Sequence, residues 1–309
     1  MFDMIGYTFL FITVLIGVSK GYCGKKTSDY VNGITDGLIL QAIRLFLCVI
    51  IGIVLFAFSN TPFNIDITIL IISLLNGIAN AAFLLSWLFA VKSGAYLFVD
   101  VCLTTGGILL PCICGALFFD NKITMIQYIG IVIMILAVLV MNSYNSTVTK
   151  KKISFGNILL LICVAISNGL MGVCEKFFAH HSSTNNINCA LSVFSLLTFL
   201  FACIILLIAL IILCKVTKSS IKTCAQNFPF KKLWIYLILI SAFLFFNTYL
   251  TTLTNTYIEN TVLIYPLKFG SNLILSAIMA TVIFKEKTNI RSIIGMILIT
   301  ASIIFINVL

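Results

Sequence analysis

Ten apolar segments, each of about 20 residues or slightly more, follow one another along this chain and are separated by short polar loops. They cover residues 2–22, 32–58, 66–92, 95–118, 124–143, 155–179, 187–214, 233–256, 260–284 and 291–309. The chain is 61% hydrophobic and 9% charged, and a soluble domain cannot bury so much apolar surface. The sequence therefore predicts an all-α membrane protein with ten transmembrane helices.

The last fifty residues repeat a pattern that is also present in residues 95–144. Both stretches contain an apolar helix, a short charged turn and a second apolar helix, and a shift of 165 residues aligns Phe119 with Phe284 and Gly130 with Gly295. This predicts two five-helix repeats, residues 1–145 and 146–309, which meet in a linker from Ser143 to Ser154. Because five is odd, the second repeat would enter the membrane upside down, which gives inverted repeats.

Basic residues are concentrated on one predicted side of the membrane. The loops after the odd-numbered helices hold fourteen lysines and arginines, whereas the opposite loops hold only Lys122. This bias predicts a multi-pass plasma (inner) membrane protein with cytoplasmic lysine-rich loops and both termini outside. It also accounts for the net charge of +10 without a nucleic-acid partner.

Three sequence patterns resemble the ten-helix, EamA-like branch of the drug/metabolite transporter superfamily. They are the paired units FFDNKITMIQYIGIVIMILAVLV and IFKEKTNIRSIIGMILITASII, the segment LQAIRLFLCVIIG with its embedded Arg44, and the pair IGVSKGY and MGVCEKFF. The turn glycine that the family usually has is missing from both copies, and Glu286 alone supplies the acid of that turn. The resemblance implies a gradient-coupled permease, often an exporter, for a small polar metabolite. Family members are commonly drawn with cytoplasmic termini, whereas the lysine bias predicts the opposite.

Lys268 is the strongest candidate for substrate binding. It lies about nine residues into the ninth predicted helix, or roughly 13 Å deep, between Pro266 and Gly270. A charge at that depth usually faces a cavity or a partner, and a helix broken at proline would offer free carbonyls beside it. The alternatives are that Lys268 extends its ammonium to the membrane surface, or pairs with Asp100 or Glu175.

Other polar residues in the spans extend this hypothesis. Tyr265 matches Asp100 under the 165-residue shift, and Asp100 is a candidate coupling residue or else a partner of Lys268 or Lys92. Lys20, Glu175 and Lys176 are candidates for gating, since one lysine would lie near each mouth. The further candidates for substrate binding are Arg44, Asn80, Asn168, Asn247 and Asn272. Bracing of the helix by Arg44, and interhelical hydrogen bonds by the asparagines, are the competing interpretations.

No nucleophile elbow, phosphate loop, zinc spacing or paired-carboxylate motif is present in the sequence, so we do not expect an enzyme. Gly106 and Gly107 are expected to allow close helix contact. The candidate charges in the spans have one positive charge in surplus, which favours an anionic or zwitterionic metabolite such as an amino acid. We expect no cofactor, a proton or ion gradient as energy source, and a monomer or homodimer in the bilayer. The alternatives are a flippase for a lipid-linked substrate and a non-transporting sensor or assembly protein.

Overall fold

Ten α-helices account for nearly all of the described chain. The computed structural model describes residues 2–59, 63, 65–118, 124–149, 154–184, 191–218, 228–258, 261–286 and 289–307, without the side chains of 2, 3, 142–149, 183, 184, 261–263 and 307. The helices are α1 (Phe2–Ser28), α2 (Ile34–Phe58), α3 (Ile67–Ser93), α4 (Tyr96–Phe118), α5 (Met125–Thr149), α6 (Phe155–Thr184), α7 (Leu191–Val216), α8 (Phe230–Tyr257), α9 (Thr261–Val282) and α10 (Ile290–Asn307).

Seven of these helices, α1, α2, α3, α4, α6, α7 and α8, are long and apolar enough to cross a membrane. The described apolar parts of α5 and α10, Met125–Met141 and Ile290–Ile306, are shorter. The prediction of an all-helical membrane protein is therefore confirmed at this level. The large apolar side chains exposed on the outer surface have the character expected of a surface that faces lipid.

Several predicted boundaries were wrong by more than two residues. Helix α1 continues to Ser28 rather than residue 22, and Lys25 in its last turn donates a hydrogen bond from Nζ to the carbonyl of Val91, 2.8 Å away. Helix α5 continues to Thr149, so the predicted linker from Ser143 is partly helical. Apolar segments in the sequence mark the depth of the bilayer, whereas a helix ends where its backbone hydrogen bonds end.

The expectation that Pro266 breaks the ninth helix was also wrong. Helix α9 runs without interruption from Thr261 to Val282, with Pro266 as its sixth residue. A proline this close to a helix start removes one backbone donor whose carbonyl partner lies in the first turn. Helix α4 likewise accommodates Pro111 inside its span.

Three pairs of helices that are five apart in the chain pack against each other: α2 with α7, α4 with α9, and α5 with α10. In each pair, the early part of one helix contacts the late part of the other, so the two helices are antiparallel. The contacts that establish this are Ala42 with Cys203 and Gly52 with Leu196, Asp100 with Ser276 and Gly107 with Phe269, and Gly130 with Ser302 and Gly295 with Met141.

Glycines allow the backbones of α4 and α6 to touch. A Cβ added at Gly106 would lie 1.9 Å from the carbonyl oxygen of Ala165, and one at Gly169 would lie 2.4 Å from the carbonyl oxygen of Gly106. Both atoms belong to the backbone, so neither could move to make room for a Cβ unless α4 and α6 moved apart. The predicted close helix contact at Gly106 is therefore confirmed, and it sets the distance between two helices that line the site described below.

Polar contacts join the helices at both ends of the bundle. At one end, Glu286 accepts hydrogen bonds from the backbone N–H groups of Tyr96 (2.8 Å) and Leu97 (3.4 Å), which begin α4. At the other end, Asp66 caps α3 by accepting from the Ile69 N–H at 2.8 Å and contacts His181 of α6 at 2.6 Å. Desolvation raises the pKa of the Asp66 carboxyl, but these two contacts outweigh it and leave the pKa below its usual value.

Candidate functional site

A polar cavity lies between seven helices, α1, α2, α3, α4, α6, α8 and α9. It is lined by five ionisable side chains from five different helices: Lys20, Arg44, Asp100, Glu175 and Lys268. Aromatic and amide side chains complete the described lining, among them Phe83, Trp87, Tyr96, Tyr265, Phe269, Asn168, Asn247 and Asn272. The cavity therefore brings together nine of the eleven residues that the sequence nominated.

Lys268 is buried, with 8% of its surface exposed. Its Nζ donates a hydrogen bond to the Thr251 hydroxyl of α8 at 2.7 Å and lies 5.1 Å from the ring centroid of Phe269. Glu175 is its principal electrostatic partner. The hydroxyl and the ring face thus hold the ammonium inside the bundle, within the field of the Glu175 carboxylate, and the ammonium does not extend to the membrane surface.

Glu175 connects two of the lysines. It interacts electrostatically with Lys268 first and with Lys20 second, and it is 4% exposed. Lys20 also places its ammonium 5.7 Å from the ring centroid of Phe83. The carboxylate therefore lies in the field of two cations, and this attraction offsets part of the cost of burying the three groups.

Asp100 interacts electrostatically with Lys20, and its carboxylate lies beside the Ser276 side chain of α9. Its second carboxylate oxygen, Oδ2, is buried and has no hydrogen-bond partner. Lys92, which the sequence offered as an alternative partner of Asp100, instead hydrogen-bonds through Nζ to the carbonyl of Val31.

The three cavity asparagines differ in how fully they are bonded. Asn247 Nδ2 donates to the Thr13 carbonyl and Asn168 Nδ2 donates to the Leu103 carbonyl, both at 3.0 Å, so each joins two helices. Asn272 Oδ1 is buried without a partner. It lies 2.9 Å from where a Cβ of Gly17 would be, which shows how closely the amide approaches α1.

Tyr265 has its hydroxyl fully engaged within the protein. The hydroxyl donates to the Gly172 carbonyl at 2.6 Å and accepts from Asn255 Nδ2 at 3.1 Å. These two bonds join α9 to α6 and α8. The ring lines the cavity, but the polar atom that made Tyr265 a candidate for substrate binding is already bonded.

Two nominated residues lie elsewhere. Asn80 is completely buried, and its Nδ2 donates to the carbonyl and side-chain oxygens of Asn76 at 3.0 and 3.3 Å; the described lining of the cavity does not include it. Lys176 is half-buried on α6 and is also absent from that lining. Of the two adjacent gating candidates on α6, Glu175 lines the cavity and Lys176 does not.

The sequence reading missed Thr13, Thr251, Ser276 and Phe83, which contact the nominated residues. Threonine and serine in an apolar helix usually bond their own backbone four residues earlier, so their presence carries little signal. Thr251 does so as well, to the carbonyl of Asn247 at 2.6 Å, while it accepts from Lys268.

No protein-family model matches this chain, and no curated protein matches it significantly. Its fold does match solved structures. One of these, described only as "Crystal structure of protein", aligns over 99% of this chain and 98% of that chain with a TM-score of 0.62 and 11% sequence identity. At that identity the match shows the fold alone, and it shows that this arrangement of helices occurs over the full length of another protein.

Proposed function

We propose that this protein is a secondary active transporter that moves a small polar metabolite, such as an amino acid, by alternating access around the central cavity. One observation carries this proposal: five ionisable side chains from five apolar helices line the same cavity. Each charge inside a bilayer costs at least about 2.5 kcal/mol, so such a cluster is retained where it has a function. Transport of a polar solute is the function that best fits a cavity whose charged side chains come from helices of both halves of the chain.

The antiparallel packing of helices five apart supports inverted repeats. When a five-helix unit is repeated upside down, equivalent helices related by an axis in the membrane plane run in opposite directions. This is the relation between α2 and α7, α4 and α9, and α5 and α10. The packing of α1 on α8 corresponds in the same way to that of α6 on α3. Alternating access would then be a rocking of the repeats around the cavity.

The ends of α1 and α6 supply a further correspondence. Gly17, Val18 and Lys20 in α1 match Gly172, Val173 and Glu175 in α6. Both glycines closely face residues of α9, and both charged residues line the cavity. Matched positions in the two repeats thus hold residues of opposite charge. A gate formed by Lys20 and Glu175 would therefore differ between the two ends of the cavity during the transport cycle.

We further propose that the chain is an EamA-like member of the drug/metabolite transporter superfamily, that it functions as an exporter, and that a proton or ion gradient drives it. Glu286, the one acid in the family-like turns, caps the first turn of α4 and thereby fixes the helix that carries Asp100. A carboxylate at a helix start also interacts favourably with the helix dipole. This contact supplies a physical reason for an acid in that turn.

A flippase for a lipid-linked substrate is the second candidate function, because an almost wholly apolar groove lies between α3 and α6. Its lining includes Ile72, Leu75, Ile166 and Leu170. An acyl chain could occupy such a groove while its head group entered the polar cavity. We prefer a soluble metabolite, since none of the five cavity charges lines the groove.

The substitution Lys268→Met tests the proposal. We expect one class in a broad panel of metabolites to raise the thermal stability of the purified protein, because a ligand that binds only the folded state stabilises it. Loss of a charge-assisted hydrogen bond should weaken that ligand by about tenfold or more. In proteoliposomes loaded with the same compound, transport by Lys268→Met should fall by a similar factor.

Lys231→Met is the matched control, because Lys231 is exposed at the start of α8 and lies outside the cavity lining. The control should respond to the metabolite as the unaltered protein does. Unchanged binding and transport by Lys268→Met would remove Lys268 from the site. A panel in which only lipid-linked compounds produce a shift would favour the flippase.

A further inference from the structure

Among the described cations of the cavity, Arg44 is the one for which no carboxylate is among the groups that act on it electrostatically. It is the eleventh residue of the 25-residue helix α2 and is 2% exposed. Its Nη1 donates to Gln41 Oε1 at 2.8 Å, and Gln41 is itself anchored by a bond from Nε2 to the Leu84 carbonyl at 3.0 Å. Its Nε is buried without any hydrogen-bond partner.

The two acids of the cavity interact electrostatically with the lysines rather than with Arg44. Glu175 interacts with Lys268 and Lys20, and Asp100 interacts with Lys20 and Ser276. The groups that act on Arg44 most strongly after desolvation are the thiols of Cys48 and Cys23. In the described part of the chain, no carboxylate forms an ion pair or hydrogen bond with the guanidinium.

A buried guanidinium with an open donor is costly unless an anion completes it. Its planar fork fits a carboxylate or phosphate through two parallel hydrogen bonds, which a lysine ammonium cannot reproduce. We propose that Arg44 binds an acidic group, a carboxylate or a phosphate, of the transported molecule. This inference rests on the proposed transport function and narrows its substrate to an acid.

Two further polar atoms of the cavity lining have no hydrogen-bond partner, and they indicate which other groups such a ligand would carry. Asp100 Oδ2 and Asn272 Oδ1 are buried acceptors without partners. They would receive hydrogen bonds from an ammonium or hydroxyl group of the ligand. The unpartnered atoms of the cavity thus comprise one donor suited to an acid and two acceptors suited to a donor group.

The test measures thermal stability of the purified full-length protein at constant ionic strength with matched compounds that carry or lack an acidic group. The acids are L-glutamate and glycerol 3-phosphate, with inorganic phosphate as the smallest probe; the diamide of L-glutamate, which has no carboxylate, and glycerol are the counterparts. Phosphatidylglycerol and phosphatidylcholine, added in detergent, form a second arm that separates a lipid head group from a soluble acid. We expect at least one acidic compound, and not its counterpart, to raise the melting temperature.

Arg44→Gln should weaken the effective acid by at least about tenfold, because the charge and both arms of the fork are lost. Arg44→Lys should recover part of the affinity, because it keeps the charge without the fork, and it provides a second variant if Arg44→Gln does not fold. Arg291→Gln is the matched control, since Arg291 is exposed at the start of α10, and it should bind as the unaltered protein does.

Stabilisation by phosphatidylglycerol alone, lost in Arg44→Gln, would support the anion site and identify a lipid as its ligand. Equal stabilisation by glutamate and its diamide would overturn the inference about Arg44 and leave the transport proposal intact. Unchanged acid binding in both Arg44 variants would overturn it as well, as would the absence of any shift with every acidic compound. The Lys268→Met experiment, with its broader panel, decides the transport function separately.

Discussion

Tyr265 shows how a polar residue in a membrane helix can stabilise a bundle and line a cavity at once. Its hydroxyl contacts the Gly172 carbonyl and Asn255, whereas its ring faces the site. We expect Tyr265→Phe to lower the free energy of unfolding by about 1–2 kcal/mol, because a buried carbonyl and a buried amide lose a partner. Metabolite affinity should change little, and thermal unfolding with and without ligand measures both effects.

Tyr249→Phe is the control for Tyr265→Phe. The Tyr249 ring stacks on Phe245 with centroids 6.1 Å apart, and its hydroxyl makes no hydrogen bond in the part of the chain that the structure describes. Its removal should leave stability nearly unchanged. A Tyr265→Phe protein of normal stability but with greatly reduced metabolite binding would instead make the Tyr265 hydroxyl a substrate ligand.

The sequence was sufficient to identify single charged residues in the membrane spans. It did not show which residues surround them in the fold. Lys268, Arg44 and Asp100 were identifiable because each interrupts a long apolar run, where a charge is costly. Asn80 was misplaced because an amide in such a run can bond within its own helix, as Asn80 does with Asn76. Glu175 and Lys176 were both predicted for the gate, but adjacent helical residues point about 100° apart, and Glu175 is the one that lines the cavity.

At the scale of elements, the contact of α4 with α6 at Gly106 is the packing feature that tolerates least change. We expect Gly106→Ala to destabilise the protein by at least about 2 kcal/mol, because its Cβ would overlap the Ala165 carbonyl. Displacement of α4 would also move Asp100, so ligand binding should weaken. Yield of folded protein, thermal unfolding and ligand response together measure this outcome.

Gly156→Ala is the matched control for Gly106→Ala. Gly156 is exposed near the start of α6, and its Cβ would come no closer than 3.9 Å to the Ser154 hydroxyl. Alanine favours a helix over glycine by about 1 kcal/mol, so stability should be unchanged or slightly higher. If both alanine variants behaved alike, the two helices would not be held by this contact.

Helix existence was predictable from the sequence because each span must satisfy its own backbone in lipid, which leaves a long helix as the only choice. The ends of the helices, and the residues that they contact on other helices, were not predictable from the sequence. Lys25, in the extended last turn of α1, contacts Val91, and hydropathy does not predict a contact between residues 66 apart in the chain. Likewise, the continuity of α9 through Pro266 depends on where that helix starts, and hydropathy does not show the start.

At the scale of the whole molecule, the repeat pattern and the lysine distribution make separate predictions. The packing of α5 on α10 and of α4 on α9 is consistent with the proposed inverted repeats and does not depend on charge. The orientation in the membrane, by contrast, is predicted only from the lysine-rich loops, which are expected to stay in the cytoplasm. Five helices per repeat place the two termini on the same side in either orientation. A measurement of loop side therefore tests the lysine bias and leaves the repeats untouched.

We expect the loops on the two sides to react differently with a membrane-impermeant maleimide. Phe63→Cys, exposed between α2 and α3, should be labelled on intact cells, whereas Lys232→Cys, exposed at the start of α8, should be labelled only after lysis. The unaltered chain supplies the background, and its nine described cysteines are buried or half-buried. The reverse pattern would place the lysine-rich loops and the Glu286 cap outside the cell. Efflux would then begin from the end of the cavity nearer Asp66 and His181, so the labelling result fixes which end a cytoplasmic substrate enters.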